Sequence, residues 1–473
     1  MKTTTCILAL SFGLVLFDCP ARCAEPWATA RGNSARTGCN DNLPGPASPK
    51  VLWVYRSQEH FIATPAPAGD HLLVAGLGGF NTGTLHALPL TGMAKPQPAW
   101  TRGSPLLKLP VVSSPAVSDG KLVFGDGMHQ TDGAVLHCLH ADGSPFWELS
   151  VPGTLVHIEG APAVAGKRVY IGGGAAGVLC VERDRVTLDG KEMTAAEIQK
   201  LLKAKWAELQ AKYEADKKKD PDFAVAPNED MLPKAIPVKV WQQGQDKWHV
   251  DAPVNVAGDN VLVASAFLDK EKVGDRALLC LDAGNGSIRW RQPLVFNPWG
   301  GAAILDKLVV VAGSTAGYDV KALQGAKGDL AAFDLATGQP KWRKEVPGGV
   351  LGGVALADGL AIVCATDGKV RAYDLASGER KWIYDARTPI FAPPAIAAGV
   401  AYAGDLKGVV HAIALADGKG KWTLDLGSDP EVKSPGMIYA SPVLHGGKLY
   451  VATCNIDGAF ARQPTVVVCI GSK

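Results

Sequence analysis

"AFDLATGQPKW" (residues 332–342) returns forty residues later as "AYDLASGERKW" (372–382), and forty after that as "AIALADGKGKW" (412–422). Each copy keeps a small first residue, a Gly-containing turn and a final Trp, and two of the three keep the Asp. A fixed period of about forty residues marks a repeat architecture and overrides any domain count based on length. Outward from these copies, each unit opens with a small-residue or proline step and an apolar strand, as in "SPAV" from 114 and "APAV" from 161. A tight turn, a second apolar strand, a variable loop, a third strand and the Trp-bearing fourth strand follow. Openings recur near Thr64, Ser114, Ala161, Ala252, Gly301, Gly352, Ala392 and Ala440, with tryptophans at Trp100, Trp147, Trp241, Trp290, Trp342, Trp382 and Trp422.

Eight openings stand against seven Trp strands. The missing one is "KVLWVYRS" (50–57) with Trp53, ahead of the first opening, while the last unit stops after "TVVVCIGSK" where its Trp strand is due. Strands shared between the termini close a ring, so the expected fold is all-β: an eight-bladed propeller of four-stranded blades whose N-terminal strand completes the last blade. Within each copy, Asp can bond the backbone of the turn, Gly supplies positive φ, and Trp can lie against the neighbouring blade beside a small residue. Burying about 150–250 Å² per Trp is worth roughly 4–6 kcal/mol as an upper bound.

Composition agrees. The 473 residues include 54 Gly and 32 Pro, with 47% hydrophobic and 20% charged side chains, which suits a turn-rich β protein with a filled core. A net charge of +2 implies no basic face for nucleic acid or anionic membrane. Residues 1–24 have the layout of a signal peptide, a Lys followed by an apolar run from Cys6 to Phe17 that is too short to span a membrane. Asp18 and Arg22 precede Cys19 and Cys23 where a lipidated Cys would want a small neighbour. The chain is therefore expected to be exported to the periplasm or beyond without a lipid anchor, with a leader at 25–49 and the propeller at 50–473. Of the seven cysteines left, Cys138, Cys180, Cys280 and Cys469 occupy the small-residue slot of the repeat and read as buried thiols. The pairing state of Cys39, Cys364 and Cys454 stays open.

The pattern A-x-D-x-x-T-G-x-x-x-W, present as Ala332, Asp334, Thr337, Gly338 and Trp342, resembles the tryptophan-docking motif of the pyrroloquinoline-quinone (PQQ) repeat family, and the likeness spans roughly residues 50 to 473. That family includes periplasmic quinoprotein dehydrogenases and the non-enzymatic assembly factors of the BamB kind. The dehydrogenases imply PQQ, calcium, an adjacent Cys-Cys pair and an Asp base, and this sequence has no adjacent cysteines and no CxxCH. The resemblance therefore implies a non-catalytic, monomeric scaffold with a protein partner in envelope or extracellular assembly and no cofactor. The alternatives are a quinoprotein with PQQ and calcium, and a carbohydrate or small-ligand binder. "WATARGNSARTGCN" (27–40) is similar to leaders in PQQ-repeat proteins and is expected to lie along the ring, anchored by Trp27.

The loops after second strands vary most, and variable loops on a regular scaffold usually carry function. On that face "DKWHVDAP" offers Trp248, His249 and Asp251, and "VFNPWGGA" offers Asn297 and Trp299; neither Trp belongs to the repeat set. Asp405, Lys407, Tyr439 and Asn455 complete the binding candidates, with His60, His157, Glu159, Arg387, Phe391 and Asp457 in comparable loops. His86, His137 and His411 share one repeat slot and read as structural. No His pair has helical metal spacing, so no metal site is assigned, and no catalytic residue is. An insertion at 183–239 interrupts the third blade: a hairpin turning at Asp189-Gly190, then a helix opened by a Thr194/Glu197 capping box, with Ile198, Leu201, Leu202, Leu209 and Tyr213 on one face, packed back on the ring. "DGKEMTAAEIQ" is not an EF-hand, because Arg185 and Thr187 stand where calcium ligands are needed.

Overall fold

A short strand with one apolar face is stable only when that face is covered, and here eight sheets cover one another in a closed circle. The computed structural model describes residues 28–38, 43–92 and 95–472; the expected signal segment, Trp27 and Cys39 lie outside them. Every blade is an antiparallel meander whose innermost strand is only three or four residues long, such as Ala163–Ala165 or Ala302–Leu305. The last blade pairs Val443–His445, Lys448–Ala452 and Thr465–Ser472 with the N-terminal strand Pro49–Ser57, which closes the ring. Closure removes the free edge that would otherwise template pairing.

The repeated tryptophan sits directly across from the small residue of the third strand. Ala332 faces Trp342, Ala372 faces Trp382, Cys138 faces Trp147 and Cys469 faces Trp53. Each ring then crosses to the next blade. Trp342 Nε1 donates to the Leu375 carbonyl at 3.0 Å and Trp382 Nε1 to the Leu415 carbonyl at 2.7 Å, each beside the next blade's turn. The turn glycine lies under the ring: at Gly418, φ +72°, a Cβ would come within 2.7 Å of the Trp382 indole. Glycine is thus required twice, for its backbone conformation and for close approach. The Asp closes the unit, since Asp334 Oδ1 accepts from the Ala336 and Thr337 amides at 3.1 and 3.0 Å. Trp53 differs, its Nε1 being buried without a hydrogen bond among the described residues.

The leader does not run along the ring; it crosses the axis. A closed ring leaves the inner edges of its short central strands facing a channel, and buried backbone groups there need partners. Leader carbonyls supply them: Ala28, Ser34, Ala35, Thr37 and Gly38 accept from the amides of Val117, Val256, Ile304, Leu356 and Ile396, one from each of five blades. Arg36, fully buried, donates to the carbonyls of Ala161, Pro162 and Val254 at 2.9, 2.7 and 3.2 Å. Arg31 reaches Ala302 at 2.8 Å and Val354 at 3.3 Å. A guanidinium, with five donors in a planar fork, suits this ring of acceptors. The tie comes from these arginines and from backbone pairing.

The insertion extends the third blade. The strand Val178–Leu188 runs past the ring and pairs with Lys191–Thr194, and the helix Ala195–Lys219 begins at a capping box formed by Thr194 and Glu197. Ile198 and Leu202 are buried against residues of blades two and three, while Leu209 and Tyr213 stay partly exposed, so only the first turns of the helix pack on the ring. Cys364 and Cys454 are free, buried thiols.

Trp382→Ala should cost roughly 3–5 kcal/mol in denaturant unfolding, as large-to-small changes at packed aromatics do; a loss below about 1 kcal/mol would mean the docking is dispensable. Arg36→Met should cost about 3 kcal/mol, because several buried carbonyls lose a charged donor, whereas unchanged unfolding would mean the leader adds nothing to the ring.

Candidate functional site

With the axis filled by the leader, the channel becomes a blind pocket that opens on the face carrying the variable loops. The pocket encloses about 460 Å³ and has Ala30 and Arg31 in its floor. Its walls combine Met128, Ile62 and Ile456 with Trp299, Tyr318 and Tyr439, and on one side His129, Glu159 and Asp251. Trp299 Nε1 donates to the Ala316 carbonyl at 3.0 Å, and the hydroxyls of Tyr318 and Tyr439 donate to the Leu351 carbonyl at 2.9 Å and to Asp457 Oδ1 at 3.1 Å. The rings are therefore held in place while part of each remains open to a ligand.

The polar side of the pocket is a cluster from three blade loops. His129 follows the second strand of blade two, His157 lies in the crossing to blade three, and His249 and Asp251 lie in the crossing to blade four. His157 and His249 are fully buried and Asp251 nearly so. His157 Nε2 makes a 2.8 Å hydrogen bond to Asp251 Oδ1. His249 Nε2 comes to 3.0 Å from the same oxygen but is not aligned for a hydrogen bond, and Nδ1 of His249 and of His157 is buried without one, among the described residues. The three imidazoles pack against each other with ring centroids 4.6 to 5.2 Å apart. One ligand atom from each of His129, His157, His249 and Asp251 falls within 4.8 Å of all the others.

Electrostatics follows from burial opposed by contact. Burial, and then the charge of Asp251, pushes the Glu159 carboxyl up to about 7. Burial also favours neutral Asp251, but the hydrogen bond from His157 and the close approach of both imidazoles win, and hold it well below the usual carboxylate range. His157 is opposed in the same way: burial lowers its pKa, and the contact with Asp251 raises it on balance. His129, without such a contact, is lowered by burial.

The residues anticipated from sequence divide accordingly. Asp251, Trp299 and Tyr439 line the pocket, and His249 stands directly behind Asp251. Trp248 is elsewhere: it is 7% exposed, stacked over Gly244 in the core of blades three and four. Asn297 bridges backbone and side chain at Phe267 and Arg276, and Asn455, fully buried, accepts from the Met437 amide and donates to Gln463 and Pro464. Asp405 is buried, accepting from the amides of Lys407 and Val409, and Lys407 is exposed away from the pocket. His86, His137 and His411 lie beside Glu59, Asp126 and Asp405 at 2.6, 2.9 and 3.2 Å. The sequence reading passed over His129, Tyr318 and Arg31. The first two were visible only as members of long irregular loops, and Arg31 belonged to a leader with no periodic context.

A ring of Trp-docked blades around an axial pocket defines a propeller of the PQQ-repeat class. The family described as "Outer membrane protein assembly factor BamB" matches residues 45–213, 238–330 and 315–467, and the chain belongs to it. No curated protein matches the sequence. Among solved structures, the fold is similar to BamB from Moraxella catarrhalis at 15% identity and a TM-score of 0.55, over 89% of this chain and 97% of that one. It is also similar to a europium-containing methanol dehydrogenase, at 15% identity and a TM-score of 0.62 over 95% and 98%. A quinohemoprotein alcohol dehydrogenase from Pseudomonas putida HK5 shares 13% identity with a TM-score of 0.59, over 95% of this chain and 80% of that one. At these identities the likeness concerns the fold.

The two non-repeat tryptophans should behave differently on substitution. Trp248→Ala should lower stability by roughly 3–5 kcal/mol, while Trp299→Ala should lower it by less than half as much. Equal losses in urea unfolding would place both rings in the core.

Proposed function

We propose that the chain is an exported, monomeric, non-catalytic scaffold that receives a protein partner on its loop face, in the manner of an envelope or extracellular assembly factor. The observation that carries this reading is a set of exposed apolar side chains on the face where the blind pocket opens. Phe80, Val295, Tyr318 and Ile456 are exposed on the loop face, and two of them, Tyr318 and Ile456, line the blind pocket. Exposed aromatic and aliphatic anchors beside a concavity suit a partner segment that seats a side chain. Family membership supports the same reading. No described helix is long and apolar enough to cross a membrane. A small ligand or carbohydrate is the second reading, favoured by a pocket of about 460 Å³ with Trp299 in its wall.

Quinone chemistry fits less well. PQQ is a tricarboxylate, and the pocket meets it with two acids, Glu159 and Asp251, against one guanidinium already bonded to backbone carbonyls. The donors gathered beside these acids are imidazoles, which suit borderline metals and not calcium. The residues present do not fit PQQ with calcium.

Capture from envelope extracts tests the proposal. The variant Phe80→Asp/Tyr318→Asp/Ile456→Asp should lose the partners that wild type retains, while Phe223→Asp, on the insertion, should keep them. Retention by the triple variant would remove the loop face from the account. Calorimetry with PQQ and calcium should show no binding; micromolar, calcium-dependent binding would replace the scaffold reading with the quinoprotein.

A further inference from the structure

The histidine cluster is not explained by packing. Buried imidazoles normally satisfy both ring nitrogens, yet His249 is fully buried with neither nitrogen hydrogen-bonded, and His157 leaves one unbonded. Both Nε2 atoms converge on the single oxygen Oδ1 of Asp251, at 2.8 and 3.0 Å. The third ring, His129, closes over them from the pocket side, with its centroid 4.6 Å from His157 and 5.2 Å from His249. Three imidazoles, two of them desolvated, held against one another around a carboxylate make an expensive arrangement for a core that gains nothing from it.

We propose that His129, His157, His249 and Asp251 bind one divalent transition ion of the zinc class in the wall of the axial pocket. Three imidazole nitrogens and one carboxylate oxygen are a zinc-type donor set, and hard ions such as calcium and magnesium would want oxygen donors instead. A tetrahedral centre with bonds of about 2.0–2.1 Å needs ligand atoms roughly 3.3 Å apart. The 2.8 and 3.0 Å contacts must open slightly and His129 must close from within the 4.8 Å limit of the cluster, which side-chain rotation can supply. Glu159 Oε1, which accepts from the His129 amide at 3.0 Å and lies 4.0 Å from its Nδ1, fixes that loop and adds negative charge next to the ion. His129 and Asp251 line the pocket, so the ion has an entry path and one side that a partner or ligand in the pocket can reach.

The site is independent of what the loop face binds, and its test needs no partner. The untagged full-length mature chain, stripped with chelator and checked for folding by circular dichroism, is titrated with zinc by calorimetry and with cobalt by visible absorption. The expected result is one equivalent of zinc bound with micromolar or tighter Kd, cobalt bands of four-coordinate intensity, and no displacement by millimolar calcium. His129→Ala, at a partly exposed position, and Asp251→Asn should each weaken zinc binding about 100-fold while the circular dichroism spectrum is kept. If His249→Ala fails to fold, these two variants still decide the matter. Absence of stoichiometric binding by folded wild type, or binding that His129→Ala and Asp251→Asn leave unchanged, overturns the proposal.

Discussion

The structure depends on how the axis of the ring is filled. Eight sheets set radially can hide their faces against each other, but their innermost strands still point backbone amides and carbonyls into a common channel. Five of those amides are taken by leader carbonyls, and the guanidinium groups of Arg31 and Arg36 collect carbonyls from blades three to six. One eleven-residue segment, 28–38, thereby gives the ring a centre. It also gives the ring a direction: the channel is shut at the leader and open toward the variable loops, where Trp299, Tyr318 and the histidine cluster meet.

Around that centre the tryptophans make the blades interdependent. The indoles of Trp100, Trp241, Trp290, Trp342 and Trp382 are each placed by the small residue across from them, rest on the next blade's turn glycine and donate to a carbonyl beside that turn. A blade cannot move without disturbing its neighbour, so the scaffold carries the rigidity and the loops are free to differ. The loops gather chemistry that no single blade could hold: three histidines and an aspartate from three separate connections converge within one ion's reach.

The fold could be read because its causes are local and repeated. A period of about forty residues, a Gly turn and a Trp recur in nearly every unit, and the Trp strand left over at the N-terminal end and missing from the last unit implied closure. The capping box at Thr194 and Glu197 was legible for the same reason, since its partners are three residues apart. The site was legible only in part. Asp251, Trp299 and Tyr439 could be placed on the face where the axial pocket opens, because blade topology decides which loops share it. Whether Trp248 pointed into the pocket or into the core depended on Gly244, four residues earlier, whose bare Cα lets the ring fold back. His129, His157 and His249 are separated by 28 and 92 residues, and only the ring's curvature brings them together. The leader was least legible, because its arginines bond to backbone carbonyls that carry no side-chain signature.

The most direct measurement is native-state hydrogen exchange at the amides of Val117, Val256, Ile304, Leu356 and Ile396. Each donates to a carbonyl of the leader. If the leader fills the axis, all five exchange as slowly as the second strands of their own blades. If they exchange at the rate of the exposed helix around Glu208–Lys219, the channel is open, the pocket has no floor, and the account of the site falls with it.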